Sequence, residues 1–246
     1  MYTQFAAVYD RLMQHIDYAS WAQYYLAIIA RAGNRPKTAC ECACGTGLLS
    51  VELAKRGLKL TASDLSLDML EHAANRARQQ GVMIPFIAQD MRKLALHRQV
   101  DAVICACDGV NYLETDADVT AFFEAAHRAL KPGGALAFDI SSARKLKDMC
   151  VQREFFEDLD DLTYLWTNTW DKQYSAVDME LSMFVRADDD RYDRFDERQR
   201  QRAHDISNLT ARLAQCGFVD IHVYGDQTFD APKDDAQRIH FTATKV

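Results

Sequence analysis

Apolar positions change their period along this chain, and the changes mark out its elements. Between residues 5 and 32 they recur at helical spacing, first Phe5, Val8, Tyr9 and Leu12, then Trp21, Tyr24, Tyr25 and Ile28. Gly33 to Lys37 interrupts them. From Thr38 onward short apolar runs alternate with helical stretches, the rhythm of a parallel sheet. A first strand over Thr38–Cys44 meets Gly45-Thr46-Gly47, and a helix over Leu48–Arg56 stops at Gly57. A second strand, Leu58–Ser63, ends on Asp64. Ser66 then caps a helix whose apolar face is Leu70, Ala73, Ala74 and Ala77. Ile84–Ala88 is a third strand, ending on Gln89-Asp90. Val100–Ala106 is a fourth, ending on Cys107-Asp108. Val119, Phe122, Phe123, Ala126 and Leu130 mark a helix, and Pro132-Gly133-Gly134 turns into a fifth strand, Ala135–Ile140.

The rhythm then changes. Leu162–Trp170, Ser175–Arg186 and Tyr192–Ala203 alternate and are rich in aromatics and Thr, which predicts antiparallel strands. A helix over Ile206–Gln215, a strand over Phe218–Tyr224 and a last strand over Arg238–Lys245 resume the first pattern. The link before that last strand, residues 225–237, has no helical period. A parallel crossover normally carries a helix, so the last strand is expected to be antiparallel. The fold class expected is α/β, a Rossmann-like, seven-stranded, mostly parallel sheet with an antiparallel last strand. Residues 1–145 and 204–246 form that domain, and residues 146–203 form an antiparallel β insertion that caps the site or serves as an interface.

Composition narrows the function. The chain has 246 residues, 48% hydrophobic and 26% charged, with a net charge of -7. Nucleic-acid binders usually carry a basic stripe, and none is present. The most charged stretch, Arg186 to Arg202, mixes Asp188, Asp189, Asp190, Asp193 and Asp196 with arginines and reads as a solvated hairpin. The 7 cysteines include the alternating Cys40, Cys42 and Cys44, which a strand puts on one face as small apolar groups. Their C-x-C spacing is not that of a zinc site, and no metal is expected. Free thiols, no basic-then-apolar leader and no long apolar run point to a cytoplasmic protein away from the membrane.

Open α/β sheets bind ligands at the carboxyl ends of their strands. Here the first end carries Gly45 and Gly47, which let the backbone turn tightly and approach a ligand. The second carries Asp64, placed to accept both hydroxyls of a ribose. The third carries Gln89-Asp90-Met91, suited to an adenine amine and ring face.

These segments carry a resemblance. E-x-A-C-G-T-G, D-x-S-x-x-M-L at Asp64 to Leu70, Q-D-M at Gln89 to Met91 and L-K-P-G-G at Leu130 to Gly134 resemble class I S-adenosylmethionine (SAM)-dependent methyltransferases. F-A-x-x-Y-D-x-L-M at Phe5 to Met13, with Tyr18 and Trp21, C-D-G-V-N-Y-L at Cys107 to Leu113 and R-I-x-F at Arg238 to Phe241 resemble the small bacterial YqeM-like group, and more distantly the dimethyltransferases of aminosugars. The resemblance implies that Ala43, Cys44, Gly45 and Gly47 line the methionine and ribose part of SAM. Asp64 would hold the ribose, with Leu65 and Met69 beside the adenine, and Gln89, Asp90 and Met91 would hold that ring. Cys107 and Asp108 would lie under the sulfonium end, and Tyr9 would close over the cofactor. Asp108 is the candidate to orient or deprotonate an amine, or else a polar wall against the ammonium of SAM. Gly109 stands where relatives often have Ser, so any hydroxyl contact to substrate there is lost.

The expected reaction is methyl transfer to a small-molecule acceptor, through N or O. Tyr112, Tyr164, Trp166 and Trp170 are the substrate candidates. The aromatic face of the insertion could equally pack on the main domain or on a second subunit in a homodimer. The N-P-P-Y type of motif found in nucleobase amine methyltransferases is missing after the fourth strand, which argues against DNA. Two other readings stay open: a non-catalytic SAM-binding regulatory or partner protein, and an NAD(P) oxidoreductase. The second would want G-x-G-x-x-G, whereas the sixth position here is Ser50.

Overall fold

The computed structural model describes residues 3–13, 15–151, 154–187 and 191–246, without the side chains of residues 3–5 and 7. Phe5 as an apolar contact, and the three acids Asp188, Asp189 and Asp190 of the charged run, therefore lie outside the described residues. Two helices, α1 (Thr3–Leu12) and α2 (Tyr18–Arg31), precede an alternating series. It runs β1 (Thr38–Cys42), α3 (Leu48–Lys55), β2 (Lys59–Asp64), α4 (Leu67–Gln79), β3 (Phe86–Ala88), β4 (Val100–Cys105), α5 (Asp116–Ala129) and β5 (Leu130–Ser141). A short α6 (Ala143–Asp148) leads to β6 (Glu154–Asp158), β7 (Leu162–Asp171), β8 (Ala176–Arg186) and β9 (Tyr192–Arg202). The chain closes with α7 (Ile206–Gln215), β10 (Phe218–Gly225) and β11 (Arg238–Lys245).

The main sheet has seven strands in the order β10-β11-β5-β4-β1-β2-β3. β1 to β5 pair in parallel, and β11 runs antiparallel to both β5 and β10. The helix-free link thus predicts the direction of β11 correctly. Alternation sorts the side chains to two faces. Cys40 and Cys42 of β1 join Cys105 of β4 in a core with Phe122 and Phe123 of α5 and Leu209 and Leu213 of α7. Phe138 of β5 stacks on Phe241 of β11 in the same layer, centroids 4.7 Å apart. The other face packs Ala39, Ile104 and Ala137 against Tyr25, Ile28 and Ile29 of α2 and Leu49 and Leu53 of α3. Cys44 lies past the end of β1 and packs instead with Ala62 and Leu70. Caps set the helix starts: Ser66 accepts from Met69 N and Thr115 from Asp118 N.

Two expectations need correcting. β5 begins at Leu130 rather than Ala135. Val100 pairs with Leu130 and Ala102 with Ala135, so the Pro-Gly-Gly segment is a bulge inside the strand, with Gly133 at φ 72°. The insertion has four strands rather than three, in the order β6-β7-β8-β9, all antiparallel. One face of this sheet, with Leu162, Val177, Met179, Leu181 and Met183, buries Val8 of α1 and Leu146 of α6. Tyr164, Trp166 and Trp170 pack against that cluster, half-buried.

Candidate functional site

The carboxyl ends of β1, β2, β3 and β4 open onto one cavity of about 430 Å³. At the first end the chain leaves β1 through Ala43 at φ 53° and Gly45 at φ 52°. Gly47, at φ 76°, has no room for a side chain: a Cβ there would lie 2.8 Å from Ala73 Cβ on α4. This holds the loop close to α4 and leaves its backbone facing the cavity.

Asp64, at the end of β2, ties this loop to the next one. Its Oδ2 accepts Gly45 N at 2.8 Å and its Oδ1 accepts Ser66 N at 2.9 Å. Burial raises its pKa, and those backbone donors oppose the rise. At the third end Gln89 Oε1 accepts Ala95 N at 3.1 Å, while its Nε2 is buried without a hydrogen-bond partner. Asp90 receives Arg92 through both oxygens, and Arg92 also reaches Asp118 at 2.6 Å. The hydrogen bonds from Arg92 hold the Asp90 carboxyl below its usual range.

The fourth end is the most constrained. Cys107 and Asp108 are consecutive non-glycine residues in the left-handed region, both at φ 56°. Such residues cost about 1–3 kcal/mol each and persist only where their surroundings over-determine them. Here Asp108 N donates to Asp139 Oδ2 at 3.0 Å. Its side chain accepts from Arg238 Nη1 at 3.0 Å, Ser141 Oγ at 3.0 Å and Gln201 Nε2 at 3.2 Å. Arg238 also binds Asp139 and lies over the Trp21 ring, 4.9 Å from its centroid. Tyr25 Oη donates to Asp139 at 2.5 Å. Burial would raise the Asp108 pKa, but the Arg238 charge, with Lys145 and these hydrogen bonds, overrides it and leaves the group at about 2.

The cavity wall contains Tyr9, Ala43, Cys44, Gly45, Asp64 and Leu65 of the sequence-derived set, together with Met69, Gln89, Asp90, Met91, Cys107 and Tyr112. Gly47 lies behind the loop against α4. The structure brings neither Asp108 nor Tyr164, Trp166 or Trp170 to that wall. Asp108 is turned toward Arg238. Tyr164 donates to Glu157 at 2.7 Å, Trp166 to Asn168 at 2.8 Å, and Lys147 lies over the Trp170 ring.

Among the lining residues that the sequence reading of the site missed are Tyr18, Glu41, Arg92, Glu114 and Gln199. Tyr18 and Glu41 stand inside the quoted motifs, so a signal was present. Gln199 sits in the charged run and carried none. Glu41, on the face of β1 opposite the cysteines, accepts a hydrogen bond from Ser50 of α3 and is 3% exposed. Burial pushes its carboxyl up to about 8. Above the glycine loop α1 is anchored by Asp10, which accepts Thr46 Oγ1 at 2.6 Å and pairs with Arg76.

Residues 39–134 match the family described as a methyltransferase domain. The protein named methyltransferase YqeM in Bacillus subtilis (strain 168) is 35% identical over 246 residues, covering 100% of this chain and 97% of its own. An S-adenosylmethionine-dependent methyltransferase from Clostridium acetobutylicum superposes with a TM-score of 0.88 at 29% identity, covering 99% of this chain and 98% of its own. The sugar N-methyltransferase KedS8 from Streptoalloteichus sp. shares the fold, with a TM-score of 0.78 at 18% identity over 97% of this chain and 92% of its own. The sheet order with its antiparallel β11, the ligand-facing strand ends and the full-length likeness converge: this chain belongs to the YqeM-like family of SAM-dependent methyltransferases.

Proposed function

We propose that this methyltransferase carries the methyl group of SAM to a nitrogen or oxygen atom of a small molecule in the cytoplasm. The observation that carries the reading is the continuity of one cavity. It runs from Asp64 and Gln89 at one end to Cys107, Tyr112 and Gln199 at the other. Its volume of about 430 Å³ lies in the range of small-molecule pockets rather than macromolecular grooves. The net charge of -7 and the 7 cysteines, with no disulfide among the described residues, agree with a small-molecule enzyme in a reducing compartment.

The residues fit the cofactor. Each Asp64 oxygen accepts one backbone N–H and keeps lone pairs for the ribose hydroxyls. The unpartnered Gln89 Nε2 is a donor suited to a ring nitrogen, with Met91 beside it for the adenine face. The backbone of Ala43 to Gly45 would hold the amino-acid end. When bound, SAM supplies a methyl group already activated on a sulfonium, so the protein's task is orientation and exclusion of water. Tyr9 and Tyr18 wall the cavity near Cys107 and serve that exclusion. Asp108 has both oxygens engaged and stays ionised. We assign it to holding the Cys107–Asp108 turn rather than to taking a proton.

Incubating the full chain with methyl-labelled SAM and a bacterial extract tests this. After separation into small-molecule, protein and nucleic-acid fractions, label is expected in the small-molecule fraction. Label in protein or nucleic acid would overturn the proposal.

A further inference from the structure

The cap sheet enters the cavity by a route that its aromatic face does not suggest. Gln199 of β9 lines the cavity, and its Oε1 accepts Tyr112 Oη at 2.8 Å. That bond fixes the amide, so Nε2 is left without a hydrogen-bond partner among the described residues. The Tyr18 hydroxyl lines the same end and is likewise without a partner among the described residues. An amide anchored through its oxygen offers two N–H donors to whatever lies beside it, and their complement is an acceptor lone pair, such as that of an oxygen.

Charge narrows the ligand further. Of the described charged residues lining the cavity, Arg92 is the one cation and is held by Asp90 and by Asp118 at 2.6 Å, whereas Glu114 lies in the wall with Tyr112 and Gln199. The nearest cations are committed elsewhere. Arg200 is held by Asp171 at 2.7 Å, Asp178 at 2.6 Å and Glu114 at 3.4 Å. Arg202 is held by Asp116 at 2.8 Å, and Arg238 by Asp108 and Asp139. Lys145 donates to Ser141 at 3.2 Å beside Asp108. A phosphate or carboxylate at this end would find no available Arg or Lys among the described residues to replace its hydration and would face the Glu114 carboxylate.

We propose that the Tyr112–Gln199 pair reads a hydroxyl, ether or carbonyl oxygen on the methyl acceptor, and that the acceptor is neutral or cationic, carrying no phosphate or carboxylate. This rests on the small-molecule methyltransferase reading above. It makes Gln199 a specificity-determining residue and moves the cap's contribution from β7 to β9.

The full chain is incubated with methyl-labelled SAM and an ultrafiltered small-molecule extract of Bacillus subtilis, the source of a full-length relative. The labelled product is passed over anion- and cation-exchange resins at neutral pH. It is expected in the flow-through or on the cation exchanger. Gln199→Ala is expected to lower kcat/KM for the purified acceptor about tenfold or more, mostly in KM, with SAM affinity unchanged. Gln199→Glu, which replaces the donors by a carboxylate, is expected to fall at least as far. Label retained on the anion exchanger overturns the charge assignment while leaving the methyltransferase reading intact. A neutral product made equally well by the Gln199 variants overturns the role of Gln199. Absence of any labelled small molecule overturns the underlying reading and this inference with it.

Discussion

At Gly109 the missing side chain is a packing requirement. A Cβ there would lie 2.8 Å from Cys105 Sγ and 3.1 Å from Ala43 Cβ. A Ser at this position would therefore press on Cys105 of β4 and on Ala43. Gly109→Ala is expected to cost about 1–3 kcal/mol in urea unfolding, as overpacking does. In a Cys105→Ala background, which removes the crowding sulfur, the cost should shrink; equal costs in both backgrounds would contradict the packing argument. The neighbouring Cys107–Asp108 turn shows where sequence reasoning stops. Neither residue is glycine, so nothing local announces two left-handed residues in a row. What holds them comes from β5, β9 and β11, through Asp139, Ser141, Gln201 and Arg238. That Asp64, Gln89 and Met91 line the cavity was legible because each stands at the end of a recognisable apolar run.

Among the elements, the parallel strands and the helices between them announce themselves by period. The direction of β11 could be read because residues 225–237 lack a helix. β6 and α6 were missed, being only 5 and 6 residues long, with β6 carrying two Glu and an Asp among its five positions. Alternation also predicted that Tyr164, Trp166, Asn168 and Trp170 share a face, but a face bound for a core and a face bound for a ligand alternate identically. In the fold Trp166 Nε1 donates to Asn168, whose Nδ2 donates to Met149 O at 3.3 Å, and the face packs with α1 and α6. A fully buried Trp→Ala change costs about 3–5 kcal/mol, so the half-buried Trp166→Ala should cost about 2 kcal/mol. SAM affinity of the folded variant should be unchanged. Loss of SAM binding with no fall in thermal stability would contradict this placement.

Over the whole molecule, the buried Glu41, His204 and His240 shape stability between about pH 4 and pH 8. Burial raises Glu41 from 4.5 to about 8, so its contribution is full below about pH 4.5 and is lost as pH rises through about 8. His204 and His240 are buried and lowered from 6.5 to about 4, so theirs is full above about pH 6.5 and is lost as pH falls through about 4. Below pH 6.5 two histidines outweigh one carboxyl, and above it the carboxyl acts alone. Thermal stability should therefore peak near pH 6.5, and Glu41→Gln should flatten the alkaline side; an unchanged profile in that variant would refute the assignment. The central claim is that the strand-end cavity is the SAM site and that Asp64 anchors it, and calorimetric titration of the full chain and of Asp64→Ala tests it most directly. The account predicts micromolar-range binding of SAM, no binding of NAD, and an affinity about tenfold to a hundredfold weaker in the variant, the worth of a charged hydrogen bond. NAD binding without SAM binding, or an unchanged SAM affinity in Asp64→Ala, would contradict it.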